Sequence, residues 1–419
     1  MQASFVPPPR AERGAGFRVV VASDKFKGSL TSNQVAVAVR EGVRRVNPDA
    51  TVDAVPVADG GDGTLAAAAA AGFDLIPVTA SGPTGESVRT GYARRDDVAV
   101  VELADVSGLV RLPGGRQAPL TATSRGTGEL IAAAITSGCT RIILGIGGSA
   151  CTDGGAGLVR ALGAKLYDAN GADLAEGGAA LSALASVDLT ALTERLAGVE
   201  IVVACDVDNP LTGPSGAAAT YGPQKGANPA QVGQLDSALA HWADLVGGAR
   251  GAARQAEAGT GAGSGARAVG ADLHDAPGAG AAGGVGFAAL ALLGAELGPG
   301  IELMLDLVGF HHQLIGADLV VTGEGALDEQ TLHGKAAAGV AAAAGAVGIP
   351  VVAVCGTNRL DHDRLREAGI TAAYALTDLE PDVRRCIAEP IPLLRRLGER
   401  IAVDHLARST MTPTERGVV

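Results

Sequence analysis

The chain has 419 residues, more than a single average hydrophobic core accommodates, so we expect two domains. Its net charge of −12 argues against nucleic acid and anionic membrane surfaces as partners. The five cysteines are dispersed and form no CxxC pair, which argues against a zinc site or a disulfide framework and indicates reduced thiols in a cytoplasmic protein.

Apolar runs typical of strands alternate with helical periodicity along most of the chain. Strands are predicted at Phe17–Ala22, Thr51–Val57, Leu75–Thr79, Val88–Tyr92, Val98–Leu103, Arg141–Leu144, Val199–Ala204, Leu319–Thr322 and Val351–Val354. Helices are predicted at Thr31–Val46, Leu65–Ala71, Gly128–Ser137, Ala156–Leu162, Pro229–Val246, Gly280–Leu293, Ala336–Ala344 and Glu389–Leu406. Repeated strand, glycine turn and helix units predict parallel sheets covered by helices, with a mixed or antiparallel part between Gly72 and Leu112.

A glycine-rich segment, GIGGSACTDGGAG at Gly145–Gly157, follows one predicted strand and leads into a helix. Glycines such as Gly147 and Gly148 let backbone N–H groups converge on an anion, and the Ser149 hydroxyl is a further donor. The segment lacks the GKS/T of a Walker A loop, so phosphate or substrate contact is the favoured interpretation. A tight turn that only packs a helix against the sheet is the alternative.

Acidic residues follow two other predicted strands. In ADGGDGT, Asp59 and Asp62 lie three residues apart across glycines, a pattern that suits Mg²⁺ or a general base and its partner. In ACDVDNP, Asp206 and Asp208 lie two residues apart, so an extended backbone points both the same way. Asp62 as a helix N-cap and Asp208 as a turn cap are the competing explanations.

Only five lysines occur against twenty-eight arginines, and four of them lie in glycine-rich settings. Lys25 and Lys27 lie in SDKFKGSL, Lys225 in YGPQKGAN and Lys335 in TLHGKAA. A compact ammonium suits phosphate binding, so Lys27 and Lys225 are predicted to contact a transferring phosphoryl group. Survival of these lysines by chance is the simpler alternative.

The segment TGEGALDEQTLHGK places Glu324 and Asp328 around a glycine turn, ahead of His333 and Lys335 at a predicted helix start. His333 is a candidate acid or base. A plain polar contact is the commoner role of a single histidine.

Eight segments in order resemble the bacterial glycerate kinase family, of the two-domain glycerate 2-kinase type. They are SDKFKGSL, PVADGGDGT, TSRGTGELI, GIGGSACTDGGAG, ACDVDNPLTGPSGA, YGPQKGA, PGAGAAGGVGF and TGEGALDEQTLHGK. The resemblance runs from about Val19 to about Gly356 and is weaker beyond.

The resemblance implies an α/β fold with a second α/β domain inserted into a Rossmann-like parallel α/β/α domain. We expect residues 18–72 and 297–419 to form the Rossmann-like domain and residues 73–296 to form the inserted one. Residues 1–17 are expected to be a disordered extension, and the Gly/Ala/Arg-rich stretch 247–270 a low-complexity loop.

The resemblance also implies ATP- and Mg²⁺-dependent phosphorylation of D-glycerate to 2-phosphoglycerate in glyoxylate and glycerate catabolism. Lys27, Asp59 and Asp206 are the expected catalytic residues, and Asp62, Asp206 and Asp208 the expected metal ligands. The expected substrate and phosphate contacts are Asp24, Lys25, Ser29, Gly60, Arg125, Gly147, Gly148, Ser149, Asp153, Lys225, Gly323, Glu324, His333 and Lys335.

Three positions depart from the family pattern. Lys25 stands where many members have Ser, which makes Lys27 the safer catalytic candidate; Arg125 replaces an aromatic residue, and Ala326 replaces an Arg. Phosphorylation at the 3-hydroxyl and a catalytically silent binding protein are the alternative functions. The oligomeric state is left open, with a homodimer as one option. A nicotinamide-dependent oxidoreductase is disfavoured, because the only GxGxxG, at Gly278–Gly283, does not follow a strand.

Overall fold

The computed structural model describes residues 16–258, 273–332 and 335–406. The described chain divides into two compact units. We call residues 16–57 and 305–406 the split unit, and Ala58–Met304 the continuous unit. Both units combine sheets with helices, and the predicted α/β fold class is confirmed.

The described residues form thirteen strands and fifteen α-helices. The strands are β1 Arg18–Ser23, β2 Thr51–Ala54, β3 Asp74–Ser81, β4 Ser87–Arg95, β5 Val98–Glu102, β6 Arg141–Gly145, β7 Lys165–Asp168, β8 Leu184–Asp188, β9 Glu200–Ala204, β10 Glu296–Gly298, β11 Leu319–Leu327, β12 Val351–Asn358 and β13 Ala372–Ala375. The helices are α1 Ser32–Val46, α2 Thr64–Ala70, α3 Ala104–Ser107, α4 Arg125–Thr136, α5 Ala156–Ala161, α6 Thr190–Leu196, α7 Ala217–Tyr221, α8 Pro229–Ala258, α9 Ala281–Leu292, α10 Gly300–Leu307, α11 Phe310–Gln313, α12 Ala336–Gly345, α13 His362–Glu367, α14 Val383–Ala388 and α15 Pro390–Leu406.

The split unit is built on a five-stranded parallel sheet in the order β13-β12-β11-β1-β2. Its central strand β11 is buried from Leu319 to Glu324, as expected for a strand covered on both faces. Helix α1 begins at a capping box, in which the Thr31 hydroxyl accepts from the Gln34 N–H and the Gln34 side chain accepts from the Thr31 N–H. Helices α1 and α15 pack together beside this sheet.

The continuous unit is built on a six-stranded mixed sheet in the order β10-β9-β6-β5-β4-β3. Strands β10, β9, β6 and β5 are parallel, whereas β4 and β3 pair antiparallel. The antiparallel part is the one predicted from the short alternating runs between Gly72 and Leu112. Strands β7 and β8 form a separate antiparallel pair. Parallel strands β6 and β9 therefore end at one edge of the sheet, where their glycine and aspartate loops begin.

Two expected boundaries differ from the structure. Helix α8 continues to Ala258, past the predicted end at Val246, because the Ala, Arg, Gln and Glu of this stretch are strong helix formers. This corrects the expected loop over 247–258, and residues 259–272 lie outside the described part. The division between the units falls after Val57 and Met304. Helix α2 therefore belongs to the continuous unit, since it packs against β3, β4 and β5.

Residues 1–15 of the expected disordered extension lie outside the described part of the chain. No helix among the described residues is long and apolar enough to cross a bilayer.

Candidate active site

Two glycine loops of the continuous unit pack backbone against backbone. The Gly147 N–H donates to the Gly60 carbonyl at 3.3 Å. A Cβ added at Gly147 would lie 2.7 Å from the Gly61 Cα, and one added at Gly60 would lie 2.5 Å from the Ala204 Cβ. Gly60 also has a φ of +82°, which favours glycine. This packing holds the ADGGDGT loop against the loop that follows β6.

The two expected catalytic acids of this unit lie in one cluster. The Gly300 N–H donates to Asp206 Oδ1 at 2.7 Å, and a Cβ at Gly300 would lie 2.2 Å from the Asp59 carbonyl oxygen and 2.8 Å from Asp206 Oδ2. Partial burial raises the pKa of Asp206 to about 6; the Gly300 N–H opposes this shift, and the negative charges of Asp59 and Glu302 add to it. The pKa of Asp206 therefore lies well above the ordinary value of an aspartate.

Glu102 is a buried carboxylate of this region that the sequence analysis missed. It ends β5, and its carboxylate accepts from the Gly63 N–H at 3.1 Å and the Leu65 N–H at 2.9 Å, at the start of α2. Burial raises the pKa of Glu102 to about 7, against these two hydrogen bonds, and the charge of Asp62 raises it further. The available signal was an acid at the end of the apolar run VAVVE.

The expected metal ligands are not gathered into one group. Asp62 and Asp208 are exposed, and no three His, Cys, Asp or Glu side chains of the described residues are placed to hold a metal ion. The alternative N-cap role of Asp62 is wrong, because Gly63 is the N-cap residue of α2 and Glu102 accepts from the N–H groups there.

Lys225 and Ser149 form a buried pair beside the loop that follows β6. Lys225 is only 2% exposed, and its Nζ donates to Ser149 Oγ at 2.8 Å and to the Cys151 carbonyl. Burial lowers the pKa of Lys225. The ammonium lies inside the fold and holds this loop, and the direct contact between Lys225 and a phosphoryl group stays a prediction.

Asp153 is fully buried and also differs from its expected role in substrate contact. Its carboxylate accepts from the Ser124 N–H and hydroxyl at 2.8 and 2.9 Å and from the Gly155 and Gly157 N–H groups at 3.2 Å. Burial raises the pKa of Asp153, and these donors oppose the shift. Asp153 thus joins the starts of α4 and α5, which is a structural role.

Arg125, another expected substrate contact, is engaged by acidic neighbours. Its Nε lies 3.0 Å from Glu129 Oε1, and its Nη1 lies 3.1 Å from Glu176 Oε1. The guanidinium charge is therefore balanced within the unit, which disfavours a further role in binding a substrate carboxylate.

In the split unit, the lysines follow β1 in a tight turn. The Phe26 N–H donates to the Leu30 carbonyl at 2.9 Å, and Gly28 at the tip has a φ of +80°. Lys27 is exposed and has no hydrogen-bond or ion-pair partner among the described residues. Lys25 and Ser29 are half-buried. The turn therefore presents the Lys27 ammonium to solvent.

The Asp24 residue before this turn is tied to the neighbouring strand. Its N–H donates to the Gly323 carbonyl of β11 at 2.9 Å, and its carboxylate lies 4.0 Å from the Lys25 Nζ. A Cβ added at Gly325 would lie 3.5 Å from the backbone nitrogen of Lys27. The expected contacts Asp24, Lys25, Lys27 and Gly323 therefore share one edge of the sheet.

A second charged cluster of the split unit joins the end of β11 to the start of α12. The Lys335 Nζ lies 3.6 Å from Glu324 Oε2 and 3.9 Å from Asp328 Oδ1. Burial raises the pKa of Glu324, whereas a hydrogen bond from Thr331 and the charge of Lys335 lower it. Glu324 Oε1 is buried and has no hydrogen-bond partner among the described residues. His333 lies outside the described residues.

The sequence matches the glycerate kinase family over residues 19–405. The chain belongs to the glycerate kinase family. It is 42% identical over 397 residues to a glycerate kinase from Bacillus subtilis (strain 168), which covers 94% of this chain and 99% of that relative. It is 43% identical over 363 residues to a glycerate 2-kinase from Escherichia coli (strain K12), which covers 86% of this chain and 90% of that relative.

A solved structure shows the same fold as this glycerate kinase family member. A crystal structure of a candidate glycerate kinase 2 from Salmonella typhimurium LT2 matches with a TM-score of 0.75 and 40% identity. The match covers 93% of this chain and 98% of that one. The family resemblance inferred from the eight sequence segments is thereby confirmed.

Proposed function

We propose that this chain is a kinase that transfers a phosphoryl group from ATP to D-glycerate, with Mg²⁺, and releases 2-phosphoglycerate. Membership of the glycerate kinase family supports the reaction class. The 43% identity to a relative named glycerate 2-kinase supports the 2-hydroxyl as the acceptor. The five cysteines are free thiols, which supports a cytoplasmic location.

The observation that carries the proposal is the environment of Asp206. A general base works best when its pKa lies near the operating pH, and the pKa of Asp206 is raised to about 6. The Gly300 N–H fixes Oδ1 at 2.7 Å, which leaves Oδ2 available to accept a proton. We assign Asp206 as the base that accepts the substrate hydroxyl proton. Asp59 is the second candidate, since its Oδ1 accepts from the Gly61 N–H at 3.2 Å.

The donor set suits Mg²⁺ bound mainly by nucleotide phosphates. The described residues contain no cage of three acidic side chains, but Asp206 and Asp59 supply carboxylate oxygens within one cluster. Mg²⁺ is usually held by one or two carboxylates together with substrate phosphates. When bound, the ion neutralises charge on the phosphates. Asp59, with the exposed Asp62 and Asp208, would hold it, and Asp206 is left as the base.

In the split unit, Lys27 is proposed to neutralise charge on the transferred phosphoryl group. Its ammonium is exposed and has no described protein partner, so no ion pair has to break before a phosphate binds. Lys335 is proposed as a second phosphate contact, although Glu324 and Asp328 already lie within 4.0 Å of its Nζ. Positioning and electrostatics of this kind account for most catalysis of phosphoryl transfer.

Purified protein incubated with D-glycerate, ATP and Mg²⁺ and followed by NMR tests the proposal, because the method resolves 2- from 3-phosphoglycerate. We expect 2-phosphoglycerate and stoichiometric ADP. Formation of the 3-isomer would keep the kinase and overturn the assigned hydroxyl. Absence of either product, with ATP intact, would overturn the proposed substrate.

A further inference from the structure

Lys225 is an unusual side chain, because it is a buried cation whose direct partners are both neutral. It ends the short turn Pro223–Lys225, and Gly226 after it has a φ of +93°. Two of the three ammonium protons are donated, one to Ser149 Oγ at 2.8 Å and one to the Cys151 carbonyl. Among the described residues no carboxylate lies within ion-pair distance of its Nζ.

Burial of such a cation is unfavourable for the fold. Removing an ammonium from water without a directly contacting carboxylate is unfavourable, and burial accordingly lowers the pKa of Lys225. The charge of Asp153 acts against this shift and raises the pKa of Lys225. The Asp153 carboxylate is, however, occupied by donors from Ser124, Gly155 and Gly157. The loop beside Lys225 therefore has positive charge that the described side chains do not neutralise by direct contact.

The geometry also fixes the direction of the Ser149 hydroxyl. Because Ser149 Oγ accepts from the ammonium, its own proton is left to donate elsewhere. The N–H groups of Gly148 and Ser149 have no acceptor among the described residues, and Gly148 is exposed with a φ of +75°. The Ser149 hydroxyl and these two N–H groups are three donors beside a buried cation. Such a set of donors suits an anionic group.

We propose that Lys225 is a positioning residue that acts through Ser149, and that the two of them with the Gly148 and Ser149 N–H groups bind the carboxylate of a small hydroxy acid. The inference rests on the proposed function, in which that acid is D-glycerate. This loop contacts the loop of Asp59 through Gly147 and Gly60, so an acid bound here lies beside the Asp59 and Asp206 cluster that contains the proposed base.

A double-mutant cycle of Lys225→Met and Ser149→Ala tests the inference by steady-state kinetics, with D-glycerate and ATP varied in turn. Hydrogen bonds to charged groups contribute enough that each single variant should raise KM for D-glycerate by roughly 10- to 100-fold. KM for ATP should change by less than about threefold. The KM of the double variant for D-glycerate should exceed that of the more impaired single variant by no more than about threefold, because both changes remove one linked contact. Lys165→Met is the matched control, since Lys165 is an exposed lysine of the same unit.

The outcomes separate a binding role from a structural one. A rise in KM for ATP instead of D-glycerate would assign the loop to a nucleotide phosphate and overturn the inference. Additive effects on KM in the double variant would show that Lys225 does not act through Ser149, and a lower melting temperature with unchanged KM would show that Lys225 only supports the fold. If Lys225→Met does not fold, Ser149→Ala alone decides, because an unchanged KM for D-glycerate contradicts the inference. Failure of the wild-type protein to phosphorylate D-glycerate would instead refute the proposed function.

Discussion

Two lysines, one in each unit, differ in their exposure to water. In the split unit, Lys27 lies at the exposed tip of a turn and has no described protein partner. In the continuous unit, Lys225 is buried, as is Asp153 near it. Lysines in similar glycine-rich segments therefore have opposite surroundings. A motif therefore indicates which lysines matter, whereas burial decides whether each can touch a ligand or only position another group.

Removing the base of the continuous unit should have the largest effect. Asp206→Asn keeps an oxygen for the Gly300 N–H but cannot accept a proton, so we expect kcat to fall by about 10²- to 10⁴-fold. The pKa of Asp206 is raised to about 6. The carboxylate form is lost as the pH falls through that value, so kcat/KM of the wild type should decrease below about pH 6. A pH–rate profile of the wild type checks this, and a profile that is flat over roughly pH 5 to 8 would contradict the assignment.

Removing the exposed cation of the split unit should have the next largest effect. Lys27→Ala removes charge stabilisation from the transferred phosphoryl group, and we expect kcat to fall by about 10²- to 10³-fold. The melting temperature should stay close to wild type, because no described contact is lost. Lys165→Ala serves as the control for loss of an exposed lysine. Near wild-type turnover of Lys27→Ala would show that the exposed ammonium does not contact the reacting phosphate.

The sequence predicted the alternating architecture well, because strand composition and helical periodicity are local properties. It also predicted which loops carry the site, since glycines and acids after strands are visible in the chain. It could not predict that Lys225 and Asp153 are buried, because burial depends on partners such as Cys151 and Ser124 that are distant in the sequence. Glu102 was missed for the same reason: its acceptor role appears only when β5 lies beside the start of α2.

Glu102 allows a test of the buried charge in the continuous unit. Glu102→Ala leaves the N–H groups of Gly63 and Leu65 without their acceptor, so we expect the free energy of unfolding to fall by about 1–3 kcal/mol. The pKa of Glu102 is raised from 4.5 to about 7 on folding, so its contribution is largest below pH 4.5 and decreases as the pH rises through about 7. Denaturant unfolding at several pH values should show a smaller decrease over this range for Glu102→Gln than for wild type. An equal decrease in both proteins would rule out Glu102 as the cause.

The smallest expected effect concerns the free energy of unfolding and a strained backbone position in the continuous unit. Ala282 has a φ of +52° and is followed by Gly283 and Gly284, at +71° and +92°. The Gly283 carbonyl accepts from the Gly154 N–H at 3.0 Å, so this left-handed stretch supports the segment that follows Ser149. Alanine is strained in this conformation, and we expect Ala282→Gly to raise the free energy of unfolding by about 1 kcal/mol.

The matched control is Ala289→Gly, at a helical and buried position of the same helix α9. Glycine is unfavourable inside a helix, so this variant should instead lose at least about 0.5–1 kcal/mol. Denaturant unfolding of both variants measures the two signs, and turnover of Ala282→Gly should stay at the wild-type level. If Ala282→Gly is destabilised like Ala289→Gly, the surrounding contacts and not the local conformation determine the stability there. Opposite signs, with unchanged turnover of Ala282→Gly, would show that the strain at Ala282 is local and separable from catalysis.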